Sequence, residues 1–90
     1  MLERRFTKRF KKEIKLMGKQ GRDLGKIRTV MDLIINEQPL PPKYENHPLH
    51  GKWKGAFGCH IQGDWVLIYE TDDAARTVTF HHTGSHSDLY

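Results

Sequence analysis

A single cysteine, Cys59, among ninety residues leaves no possibility of an internal disulfide, so the fold has to rest on a packed core. A lone thiol fits a reducing cytosol. Long hydrophobic runs are missing too. No apolar stretch approaches the roughly 20 residues of a membrane-spanning helix, and the N-terminus has no apolar signal-peptide segment. The expectation is a cytoplasmic protein with no membrane partner. Repeats, low-complexity segments and interdomain linkers are also lacking, which predicts one domain over residues 1–90. Apolar residues make up 37% of the chain, less than in an average globular protein. They recur in ordered patterns, however, which favours a folded domain with a thin core over disorder.

What is plentiful is positive charge. The net charge is +4, and most of the excess lies at the front. Residues 1–28 hold Arg4, Arg5, Lys8, Arg9, Lys11, Lys12, Lys15, Lys19, Arg22, Lys26 and Arg28 against only Glu3, Glu13 and Asp23. All six histidines (His47, His50, His60, His81, His82 and His86) fall in the second half. A basic front half predicts an anionic partner such as nucleic acid.

Phe6, Phe10, Ile14 and Met17 recur at helical spacing and predict a helix over residues 7–18, with Lys8, Lys11, Lys12 and Lys15 on its solvated flank. Residues 2–6 are a candidate strand leading into it. Gly18 and Gly21 interrupt the pattern. Asp23 then caps a second helix with Leu24, Ile27, Met31 and Ile34 inward, ended by Pro39, Pro41 and Pro42. Beyond the prolines the period becomes two, with Trp53, Gly55, Phe57, Cys59 and Ile61 on one face of a strand. Gln62-Gly63 predicts a turn, and the apolar run 65–70 a central strand covered on both faces. A second turn over 71–74 leads to a strand over 76–83. The expected fold is α+β: a helical hairpin packed on a small antiparallel sheet.

Three segments, 44–55, 59–65 and 80–90, sit at strand ends or loops and hold every histidine. Metal-free RNA cleavage needs a base for the 2′-OH, an acid for the departing 5′-oxygen, and cations for the phosphate. Histidine suits both proton steps because it titrates near neutrality. Asp64 can act as base or orient a histidine, Lys52 and Lys54 can offset phosphate charge, and Tyr90 can stack on a base. His81 and His82 are neighbours on a strand and should face opposite sides. Packing considerations place Trp53, Phe57 and Trp65 in the core or at a sheet edge. No recognised zinc spacing occurs, so no metal or other cofactor is expected.

In these segments the chain resembles the YafQ family of type II toxins, in the RelE/ParE superfamily. The matching elements are Pro41-Pro42 with Tyr44, His47-Pro48-Leu49, Gly51, Trp53-Lys54-Gly55, His60, Asp64-Trp65, Leu67-Ile68-Tyr69, Thr83-Gly84, His86 and Leu89. The resemblance implies a RelE-like fold, an mRNA endonuclease acting in the ribosomal A site, and a cognate antitoxin. It implies 2′-OH attack, leaving a 2′,3′-cyclic or 3′-phosphate and a 5′-hydroxyl. It assigns a catalytic set to His47, His60, Asp64 and His86, matches Trp65 to an active-site tryptophan, and puts Tyr90 where a C-terminal phenylalanine stands. His82 occupies a position where close relatives carry arginine. On this reading His86 is the acid and Asp64 or His60 the base, while His47 and His82 hold the phosphate. Lys8, Lys11, Lys12 and Lys15 would lie on ribosomal RNA. The antitoxin is expected to be an acidic-tailed DNA-binding protein. A ParE-like poison that binds gyrase without enzymatic activity is the alternative.

Overall fold

Thr7 decides where the first strand stops and the first helix starts. Its hydroxyl oxygen accepts the Phe10 N–H at 3.0 Å, which caps helix α1 (Lys8–Lys19), and the same hydroxyl donates to the His81 carbonyl at 2.9 Å. The preceding residues form strand β1 (Glu3–Phe6). In this computed structural model, which describes residues 1–89, helix α2 (Leu24–Ile35) follows, with the Asp23 carboxylate accepting the Gly25 N–H at 2.9 Å. Next come β2 (His47–Pro48), β3 (Phe57–Gln62), β4 (Trp65–Asp72), β5 (Thr77–Ser85) and a last helical turn, α3 (His86–Leu89).

The sheet order is β1-β5-β4-β3-β2. The expected meander β3-β4-β5 is present, but the sheet is mixed rather than purely antiparallel, because β1 pairs in parallel with β5. Turn residues announce hairpins; they carry no signal for a strand that reaches its partner from far away in sequence. Past Phe80 the outer edge of β5 passes from β1 to α1. Thr7 donates its N–H to the Phe80 carbonyl at 3.3 Å, and the Glu13 carboxylate accepts the Thr83 N–H at 3.1 Å. A helix thus covers an edge that would otherwise invite pairing.

Phe6, expected in the helical stripe, belongs to β1 and stacks on Phe10 and Phe80. Both helices pack on one face of the sheet. Phe10, Met17, Ile27, Val30, Ile34 and Ile35 meet Cys59, Ile61, Trp65, Leu67, Tyr69, Val78 and Phe80 there. Burial pushes the Cys59 thiol up to about 12, so it packs as a small apolar group.

The second face of β4 is covered as well. Val66 and Ile68 pack with Leu49, Ala56 and Leu89 in a smaller core, and Trp53 lies against it. This explains the continuous apolar run of β4. It also corrects the expected start of β3. Trp53 sits in a 3₁₀ turn, Gly51–Trp53, flanked by Gly51 and Gly55 at φ 65° and 97°. Those left-handed conformations fold the chain back over the sheet instead of extending it.

Candidate active site

Strand register brings the histidines together. His47 lies opposite Gly58, Gly58 opposite Ile68, and Ile68 opposite His82; one step along, His60 lies opposite Val66 and Val66 opposite Gly84. Residues directly opposite one another project from the same face. His47, His60, Val66, Ile68 and His82 therefore share the face away from the two long helices. At its end three imidazoles form a row. The His47 and His60 ring centroids are 6.5 Å apart, and those of His60 and His86 are 6.2 Å apart and stacked.

Main-chain carbonyls orient this row. His47 Nδ1 is 2.7 Å from the Glu45 carbonyl, and His60 Nδ1 is 3.3 Å from the Gly63 carbonyl. A carbonyl only accepts, so each Nδ1 carries a proton, which leaves Nε2 as the position at which each ring can take up or release one. The turn after β3 needs Gly63 at φ 58°. It also sets His86, whose N–H donates to the Asp64 carbonyl at 2.7 Å. Asp64 thus reaches the site through its main chain, and the residue is exposed.

Sequence reasoning missed Glu45. Its backbone is left-handed, φ 47° and ψ 46°, an uncommon state for a residue other than glycine. Its carboxylate oxygen lies 3.6 Å from His60 Nε2, so one residue holds His47 by its carbonyl and faces His60 with its side chain. A positive φ cannot be read from the residue type glutamate, which explains the miss.

The adjacent histidines depart from strict alternation. Ile68 pairs with His82 and Tyr69 with Phe80, so His81 is the extra residue of a β-bulge. Both rings therefore approach Trp53, at centroid distances of 5.9 Å for His81 and 4.7 Å for His82. His81 Nε2 contacts the Glu70 carboxylate at 3.1 Å. His82 is 8% exposed beneath the Trp53 edge, with Nδ1 3.4 Å from Glu13 but too far out of line for a hydrogen bond. Desolvation, with Arg9 and His81 nearby, lowers the His82 pKa against the opposing pull of Glu13. His82 is thus set apart from the exposed row by its burial, and an imidazole lacks the fixed charge and fork with which an arginine grips phosphate.

The sign of this shift sets a test. Above about pH 6.5, the ordinary histidine value, His82 is neutral in folded and unfolded chains alike and favours neither. Below it the unfolded chain takes up a proton that folded His82 resists, so stability is lost as pH falls, by at most about 1.4 kcal/mol per pH unit for one group. Urea unfolding of the wild type and His82→Gln between pH 8 and 5 should show the wild type losing more stability on acidification. Parallel pH profiles would refute the assignment.

Trp65, matched to an active-site position, is instead a core residue. It is 1% exposed on the helix side, its Nε1 donates to the Thr83 hydroxyl at 2.8 Å, and the Arg22 guanidinium lies 5.4 Å from its ring centroid. A ring enclosed in this way has no face for a base. Lys52 and Lys54 are exposed on the Trp53 turn, the Lys52 ammonium 5.9 Å from the Trp53 ring centroid. Lys8, Lys11, Lys12 and Lys15 are exposed along α1. Tyr90 lies outside the described residues. Among those described, no three His, Cys, Asp or Glu side chains are gathered closely enough to hold a metal ion, and no helix is long and apolar enough to cross a membrane.

Comparison with known proteins finds relatives along nearly the whole chain. A family described as "Bacterial toxin of type II toxin-antitoxin system, YafQ" matches residues 2–90. The mRNA interferase toxin YafQ of Escherichia coli strain K12 is 38% identical over 86 residues, covering 94% of this chain and 91% of its own length. YafQ in the crystal structure of the E. coli DinJ–YafQ complex superposes with a TM-score of 0.91 at 36% identity, covering 100% of this chain and 99% of its own. A metal-bound toxin from Helicobacter pylori superposes with a TM-score of 0.93 at 38% identity, covering 100% of both chains. With sequence and fold in agreement along almost the whole chain, this protein belongs to the YafQ family of bacterial type II toxin-antitoxin toxins.

Proposed function

We propose that this toxin is an endoribonuclease that cuts mRNA on the ribosome, by attack of a 2′-OH on the adjacent phosphorus. The observation that carries this reading is the row His47–His60–His86 backed by the Glu45 carboxylate. Neutral His60, with its Nδ1 proton held by the Gly63 carbonyl, takes the 2′-OH proton at Nε2, and Glu45 stabilises the imidazolium that forms. The 2′-oxygen bonds to phosphorus as the P–O5′ bond breaks. Protonated His86 gives its proton to the leaving 5′-oxygen. The products are a 2′,3′-cyclic phosphate and a 5′-hydroxyl. His47, Lys52 and Lys54 offset charge on the phosphate oxygens. The Asp64 main chain fixes His86, and its exposed carboxylate is the second candidate base. Tyr90 stacks on a base.

The relative's name, mRNA interferase, supports the reaction class, and the DinJ–YafQ complex of E. coli supports a cognate antitoxin for this chain. The ribosome is the partner for α1. Lys8, Lys11, Lys12 and Lys15 stand exposed over about two turns of helix, a cationic flank suited to ribosomal RNA. Reversing Lys11, Lys12 and Lys15 to Glu should weaken ribosome binding at least tenfold in a sedimentation assay at moderate salt, since each removes a phosphate contact. Unchanged binding would separate α1 from the ribosome.

The function itself is tested by adding the protein to a reconstituted translation reaction and mapping new 5′ ends on the mRNA by primer extension. Cuts that require ribosomes are expected. Cuts on naked mRNA would keep the nuclease and remove the ribosome. A folded protein that arrests growth through DNA damage and makes no cuts would replace this reading with gyrase poisoning.

A further inference from the structure

Across the end of β3 from the histidine row, on the helix side of the sheet, lies a recess that the reaction above leaves unused. It has a volume of about 260 Å³ and is lined by Lys26 and Thr29 of α2, Lys43 and Tyr44 of the 3₁₀ turn after the prolines, and Ile61 and Gln62 at the end of β3. We propose that this recess is a second nucleotide subsite, which takes the base and phosphate of an RNA residue flanking the one cut at the histidine row. The proposal rests on the endoribonuclease reading.

The lining has the chemistry of a single-stranded RNA contact. Tyr44 supplies an aromatic ring, with the Lys43 ammonium 5.1 Å from its centroid. Unstacked bases are held on such rings with little dependence on sequence. Lys26 and Lys43 supply two cations for a phosphate, and no acidic residue lines the recess. Among the described residues neither lysine has a carboxylate within ion-pair distance, so both charges are available to a ligand. Gln62 is exposed, and its amide can both donate and accept at a base edge.

Connectivity ties the recess to the chemistry. Tyr44 directly precedes Glu45, whose carboxylate faces His60 at 3.6 Å. Gln62 is two residues from His60 on the same strand. A strand of RNA leaving the histidine row over the end of β3 would thus meet Gln62, Tyr44 and the two lysines next. Lys43 and Tyr44 come from the 3₁₀ turn and Lys26 from α2, and only the folded chain sets them together.

Binding of 2′-O-methyl RNA, which cannot be cut because the attacking hydroxyl is blocked, tests this without requiring activity. A dinucleotide and a trinucleotide would be titrated into the isotopically labelled full chain and followed by amide chemical shifts. The trinucleotide should bind about tenfold more tightly, the gain expected of one stacked base. It alone should move the signals of Lys26, Tyr44 and Gln62, while both ligands move those around His60. Lys26→Glu should remove the gain and leave dinucleotide binding in place. Arg5→Glu, an equal change of charge on β1 at the opposite edge of the sheet from β3, should keep the gain. Tyr44→Leu should also remove it; because Tyr44 packs against the core, the surface variant Lys26→Glu carries the test if Tyr44→Leu fails to fold. A gain that survives in Lys26→Glu, or equal affinities of the two ligands for the wild type, would overturn the subsite. If neither ligand binds while ribosome-dependent cuts occur, the subsite falls and the endoribonuclease reading stands.

Discussion

His86→Ala should lose on the order of 10²- to 10⁴-fold in cleavage rate while its unfolding free energy stays within about 0.5 kcal/mol of the wild type. The first part follows from geometry. His86 stacks on His60 at the end of the imidazole row, exposed to a bound strand and anchored through its own main-chain N–H. That anchor survives the loss of the side chain, which is why the fold should be spared. A general acid also leaves a chemical signature. An mRNA with sulfur in place of the bridging 5′-oxygen at the cut site has a leaving group that needs no proton. It should be cleaved by His86→Ala at close to the wild-type rate, whereas His60→Ala, lacking the base, should cleave neither substrate well. If the sulfur substrate fails to rescue His86→Ala and rescues His60→Ala instead, the two roles are exchanged. Full activity of His86→Ala on ordinary mRNA would remove His86 from the chemistry.

Trp65→Ala should destabilise the fold by about 3–5 kcal/mol, the usual cost of emptying a large aromatic site. For a chain of this size each kcal/mol lowers the melting temperature by roughly 4–8 °C, and total stability is only about 5–15 kcal/mol. A largely unfolded protein near 37 °C is therefore within the expected range. The cost has two parts. One is the cavity among the helix-side core residues, and the other is the Thr83 hydroxyl, which now accepts from the indole and donates to the Val66 carbonyl at 2.9 Å. Trp65→Phe keeps most of the volume and loses only the indole hydrogen bond, at about 1–2 kcal/mol. Its cleavage rate per folded molecule should match the wild type. A Trp65→Phe protein with normal stability and no cleavage would return Trp65 to the substrate.

The elements legible from the sequence were those with local signals. Phe10, Ile14 and Met17 at helical spacing, Asp23 as a cap, Gln62-Gly63 as a turn and the apolar run of β4 all appear where their patterns put them. The His47, His60 and His86 row was legible only as a set of residue types at strand ends. Three features escaped. The parallel pairing of β1 with β5 joins residues more than seventy positions apart. The bulge at His81, which sends both neighbouring histidines toward Trp53, depends on a register shift against β4. The left-handed Glu45 depends on a turn whose strain is held by the surrounding contacts.

Periodicity, caps and charge distribution are properties of short stretches, so the order of the elements, the basic flank of α1 and the histidine-rich second half could be read without coordinates. Which side chains reach the reaction could not. His82 and Trp65 entered the site through the family resemblance, yet one is a buried imidazole tucked under Trp53 and the other a buried ring hydrogen-bonded to Thr83. Exposure, protonation and ring contact are settled by distances between residues remote in sequence, and only the packed sheet with its two cores sets those distances.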